Sequence, residues 1–207
     1  MPQPLNLRRQ KQSGFTLIEI AIVLVIIGLL LGGILKGQEL ITQGRIRNVA
    51  NDFQSVTAAI NLYQDRYRTL PGDDSGVITR WSLATAGNGD GIVAGNYNSG
   101  TAADESRQFW LHLRRAGLVN GAANANLPPN AASGTTGVQN GAQGLTGLVV
   151  CSNNLPATIA QAIDSQFDDG DATTGTVRGN TTANGTAAPT ANYVDDNSTT
   201  YVVCRTP

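Results

Sequence analysis

From Phe15 to Leu35 the chain is apolar almost throughout, and Glu19 is the only charged residue in the run. At a rise of 1.5 Å per residue this predicts a helix of about 32 Å. That length matches a bilayer hydrocarbon core of about 30 Å. Further along, the pattern changes rather than stops. Val49, Phe53, Val56, Ile60, Tyr63 and Tyr67 recur at alternating intervals of four and three, which is one face of a helix. Arg45, Arg47, Asn48, Asp52, Gln54, Asn61, Gln64 and Asp65 fill the other faces. The pattern predicts an amphipathic continuation of the same helix, packed on a sheet. Its stripe is too short for a free coiled coil. Leu70-Pro71-Gly72-Asp73-Asp74 ends it, because proline disfavours helix at the residue before it.

Beyond residue 72 the periodicity weakens. Residues 73–103 read as loop, with GNGDG at 87–91 and GNYNSG at 95–100. Residues 104–119 predict a short helix with Phe109, Trp110, Leu113 and Ala116 as its buried face, Asp104 or Ser106 as cap and Gly117 as its end. Residues 120–144 are rich in Gly, Ala, Asn and Thr and predict a long surface loop. Gly147–Cys151 and Thr199–Cys204 predict strands that lie near each other. Between them, 156–163 suggests a helical turn or two, and 179–192 another surface loop.

Composition narrows the function classes. Formal net charge is −1, so broad nucleic-acid binding is not expected. Aromatics are 5% of the chain, which predicts a modest core. The two cysteines, Cys151 and Cys204, have no CxxC spacing, so zinc is not expected. In an oxidising compartment they would form one bridge; two unrelated buried thiols are the alternative. Met1–Gly14 is polar and basic, without apolar periodicity, and reads as a leader. Arg8, Arg9 and Lys11 flank the apolar run on that side, which would orient the N-terminus to the cytoplasm and the bulk of the chain outside. An ordinary cleaved secretory signal fits poorly, since the run is too long and no A-x-A-like site follows.

A carboxylate inside a membrane helix is unfavourable, and its immediate context gives it a meaning. Ser13-Gly14-Phe15-Thr16-Leu17-Ile18-Glu19, after a basic leader and before an unbroken apolar run, resembles the processing motif of type IV pilins and type II secretion pseudopilins. The resemblance is closest over residues 8–72. It implies an α+β, pilin-like fold: a long N-terminal helix, apolar then amphipathic, on a small antiparallel sheet with long Gly/Asn/Thr-rich loops. The implied organisation is a leader at 1–14, a membrane or filament-core helix at 15–36, its amphipathic continuation at 37–70 and a globular head at 71–207. It also implies cleavage after Gly14 by a prepilin peptidase and methylation of the new Phe15 amine; for Glu19, the cost of an unpaired charge predicts pairing with the Phe15 amine of a neighbour during assembly, with a role in processing only as the alternative. The implied partners are copies of this chain and other pilins, the peptidase/methylase, an inner-membrane assembly platform and the membrane itself. The implied location is the inner membrane before assembly, with the head periplasmic, and a filament afterwards. The Cys151–Cys204 bridge would staple the C-terminal region, as in many pilins.

Other candidates are fewer. Gly28/Gly32 and Gly33/Gly37 are small-xxx-small pairs that permit close helix packing. Many pilins carry a proline here and this chain does not, so these glycines are the candidates for local stretching on assembly. No cofactor is expected. Calcium is weighed against plain turn chemistry at Asn88 and Asp90, where EF-hand spacing fails at both ends, and at the acidic cluster containing Asp168 and Asp169. His112, the only histidine, reads as packed or solvated rather than as ligand or base. No nucleophile–base pair, P-loop or HExxH occurs, so no enzyme is expected. The alternative to a filament subunit is a single-span, membrane-anchored binding domain that does not polymerise.

Overall fold

The computed structural model describes residues 14, 16–82, 85–182 and 184–207. It divides into two compact units, Met1–Ile41 and Thr42–Pro207. One element, helix α1 (Leu17–Tyr67), runs from the first unit into the second. In the first unit its apolar side chains, Leu17 through Ile41, are exposed. The helix is long and apolar enough to cross a membrane.

In the second unit the stripe read from sequence is the buried face. Val49, Phe53, Val56, Ile60 and Tyr63 are buried, and Tyr67 is half-buried against the same core. The helix stops at Tyr67, and Arg68 follows in the left-handed region at φ 59°, before Pro71. Gly72 has φ 91°, and its Cα faces the Glu105 carbonyl so closely that a Cβ would collide with it. A short helix, α2 (Val77–Trp81), lies within the segment read as loop. Helix α3 (Glu105–Arg115) buries Phe109, Trp110, Leu113 and His112. Asp104 occupies its N-cap position without capping it: its carboxylate accepts the Ser99 hydroxyl, and the Ser106 hydroxyl donates to the Asn96 carbonyl.

The sheet has four antiparallel strands, β1 (Thr136–Ala142), β2 (Leu145–Pro156), β3 (Val177–Asn180) and β4 (Thr200–Arg205), in the order β1-β2-β4-β3. Helix α4 (Ala157–Phe167) follows β2 directly and is longer than the turn or two expected. β1 corrects the reading of 120–144 as loop throughout. A bulge between Asn140 and Ala142, with Gly141 at φ 68°, interrupts its pattern. Gln143 and Gly144, both at positive φ, then make the tight hairpin turn that matches strand twist. β3 is not legible from sequence, since four residues alternating buried and half-buried are too few for a periodic signal.

Both sheet faces are covered. Val138, Val150, Val177, Tyr201 and Val203 share a core with α1, α3 and α4. Val149, Cys151, Val202 and Cys204 point the other way, beneath Tyr97. That is why Gly147–Cys151 and Thr199–Cys204 read as unbroken apolar runs rather than alternating ones. The layout is α+β and pilin-like: a long N-terminal helix packed on a small antiparallel sheet.

Candidate functional site at the N-terminal helix

Residues 1–13 of the expected leader and Phe15, whose amine the methylation reading concerns, lie outside the described residues. Gly14, the expected cleavage position, is exposed. Glu19 stands in the first turn of α1. One of its carboxylate oxygens accepts the Thr16 backbone N–H at 2.7 Å and the Thr16 hydroxyl at 2.8 Å. In return the Glu19 N–H donates to the Thr16 hydroxyl at 3.3 Å. This is a reciprocal capping box, Thr-x-x-Glu, which satisfies amides that the first turn leaves free. The Thr-x-x-Glu spacing of such a box is legible in the sequence itself. Within this chain, then, Glu19 is already held by hydrogen bonds at one oxygen.

Gly28, Gly32, Gly33 and Gly37 lie within continuous helix. A methyl group at any of them would touch nothing in this chain. Their smallness therefore answers to no neighbour among the described residues.

Cys151 and Cys204 are disulfide-bonded and sit directly opposite each other on β2 and β4. Asn88 and Asp90 belong to a loop that converges amides rather than oxygens. The N–H groups of Gly89, Asp90 and Gly91 all donate to the Asp73 carboxylate, at 2.6, 3.2 and 2.7 Å. Those of Asn88 and Ala94 donate to Glu105. The Asp90 side chain accepts from the Ile92 N–H and from the Asn88 carboxamide. Asp168 and Asp169 gather with Asp164, their nearest oxygens within 4.8 Å of one another. Each also closes part of the turn after α4: Asp164 accepts Tyr193 and Gly170, Asp168 accepts Thr176 and Val177, and Asp169 accepts Thr174 and Asp171. Burial raises the Asp164 carboxyl, partly countered by the Tyr193 hydroxyl.

Asp74, at the helix exit, is a buried polar residue that the sequence does not single out. Asp74 accepts the Tyr63 hydroxyl at 2.6 Å, the Gly76 N–H at 2.9 Å and the Arg80 guanidinium. His112 is fully buried beside it, and its Nδ1 accepts the Gly72 N–H at 2.9 Å. Burial pushes the imidazole down to about 4, with Asp74 opposing and Arg80 assisting. An unfolded histidine takes a proton below about 6.5. The unfolded chain therefore binds the extra proton between pH 6.5 and 4, and stability falls as pH falls through that window. The expected loss is about 3 kcal/mol in full. Asp52 and Asp164, both raised by burial, work in the opposite direction. Urea midpoints at pH 7 and pH 4.5 test this: the wild-type chain should drop, and His112→Gln should flatten the difference.

Residues 9–35 match the family described as the prokaryotic N-terminal methylation motif, the hallmark of type IV pilins and pseudopilins. That family is structural rather than enzymatic. No curated protein and no solved structure matches the chain. The matched motif, the exposed apolar helix that carries it and the Cys151–Cys204 bridge fit one another as features of pilin-type proteins.

Proposed function

We propose that the chain is a structural subunit of a type IV pilus or related filament. It enters the inner membrane with its N-terminus cytoplasmic and its second unit periplasmic. A prepilin peptidase removes residues 1–14 and methylates the Phe15 amine. An assembly platform then extracts the subunit into a helical polymer of copies of itself and other pilins. The observation that carries this reading is the methylation motif at 9–35 leading into a helix whose apolar side chains are exposed from Leu17 to Ile41. Such a surface requires lipid or other apolar helices around it. The four glycines offer close approach to those helices.

Glu19 has a second role in this reading. Its capping bonds use one carboxylate oxygen. The other accepts nothing among the described residues, and in this reading it takes the Phe15 amine of the next subunit. Desolvated opposite charges attract strongly, and an unpaired one is costly, so the pair would fix axial register.

Intact mass of the chain purified from its own membrane or filaments tests the reading. Loss of residues 1–14 with gain of one methyl is expected. An uncut N-terminus would sink it and favour a membrane-anchored domain instead. Glu19→Val separates the roles: filament yield should fall at least tenfold, the scale on which a desolvated charge loses its partner, and normal filaments would refute the pairing.

A further inference from the structure

We propose that in the assembled filament the Asp52 carboxylate of one subunit takes the guanidinium of Arg47 from the next copy of this chain. This inference rests on the filament reading and adds a second contact to it, in the globular layer.

Asp52 lies on the polar side of α1, half-buried at a cavity of about 100 Å³ bordered also by Val56, Trp110, Pro128, Pro129 and Thr136. It makes no hydrogen bond or ion pair among the described residues, whereas Asp73, Asp74, Asp164 and Asp168 each accept two or more hydrogen bonds. A partly desolvated carboxylate with no partner is unfavourable unless something outside the chain supplies a cation. The cavity walls, an indole and two prolines, suit the flat face of a guanidinium.

The same helix carries the complementary group. Arg45 and Arg47 are exposed, and neither side chain has a partner among the described residues. Helical phase chooses between them. Subunits of a helical polymer meet through two different faces, not through one face shared. At 3.6 residues per turn Arg45 lies only about 20° from Asp52 around the helix, while Arg47 lies about 140° away, nearly opposite. Arg47 is thus the cation that a neighbour on the far side presents.

The test is charge exchange in the full-length chain, expressed with its assembly machinery. Arg47→Asp should lower filament yield at least tenfold, on the scale expected for an interfacial charge pair, with processed mass unchanged. Asp52→Asn, which keeps the side-chain volume, should lower yield with an unchanged melting temperature. Asp52→Arg combined with Arg47→Asp should restore filaments well above either single exchange. Arg45→Asp should leave yield near wild type. Wild-type yield from Arg47→Asp or Asp52→Asn overturns the pairing, as does a double exchange no better than the singles. A chain that is never processed and forms no filaments at all overturns the filament reading beneath it.

Discussion

Replacing Cys151 and Cys204 together by alanine is expected to cost the second unit about 4 kcal/mol, which follows from chain entropy for a loop of this size. The bridge closes a sequence separation of 53 residues. Inside that loop lie the end of β2, all of α4, β3 and most of β4. Without the link the unfolded chain regains the freedom of the whole segment. β4 is the strand most exposed to this loss, since it sits between β2 and β3 and joins them. Both cysteines are buried under Tyr97, so the variant also thins the smaller of the two cores. For a unit of this size the loss corresponds to a drop of roughly 8–16 °C in Tm. Thermal melting of the double variant checks it, and a shift under a few degrees would contradict the account. Because the disulfide is buried in the folded chain, a reductant should act slowly on the native chain and quickly once urea opens it.

Asp74→Ala should destabilise by about 3 kcal/mol, as expected when one member of a buried charged network is removed. Asp74 is 1% exposed and receives three donors from three places: Tyr63 on α1, Gly76 ahead of α2 and Arg80 within α2. Without it, the Tyr63 hydroxyl is left buried with no acceptor and Arg80 loses its counter-charge. Arg80 is about one-third exposed, so water recovers part of its share. Its stacking over Tyr67 and Trp81 keeps the rest in place. Asp74→Asn should cost less, because the amide oxygen still accepts one donor. The clean measurement is a double-mutant cycle with Tyr63→Phe. Additive losses would show that the two side chains act separately and would refute the network.

These two effects differ in how far the chain announced them. The cysteines and their flanking strands could be read directly, because Val-Val-Cys recurs in both and runs of that kind are strands. Asp74 could not. In sequence it is the second of two acids after Leu-Pro-Gly, a string that signals only a stop. Tyr97 is similar: GNYNSG reads as turn chemistry, yet its N–H donates to the Gln139 side chain at 3.0 Å and its ring lids the outer face of the sheet. Gly137 makes that possible, since a methyl there would overlap the Tyr97 carbonyl. β1 was hidden for a related reason. A bulge and a two-residue turn break the alternation that identifies a strand, and Gly-rich composition supplies no bulky residues to betray it.

What the sequence determined by itself is the chemistry of the N-terminal helix and the face that α1 buries. Helical periodicity and an unbroken apolar run are local properties, set by spacing along the chain, and Glu19 stands out because nothing near it shares its charge. The tertiary structure alone decided which polar residues are partnered. Asp52, Asp73 and Asp74 are the same residue type on the same stretch of chain, and only the elements folded over them distinguish one without a partner from one closing a loop and one pinning a helix exit. Asp73 takes its amides from 16 to 18 positions away and Asp74 takes the Tyr63 hydroxyl from 11 away, and no helix or strand periodicity encodes those pairings.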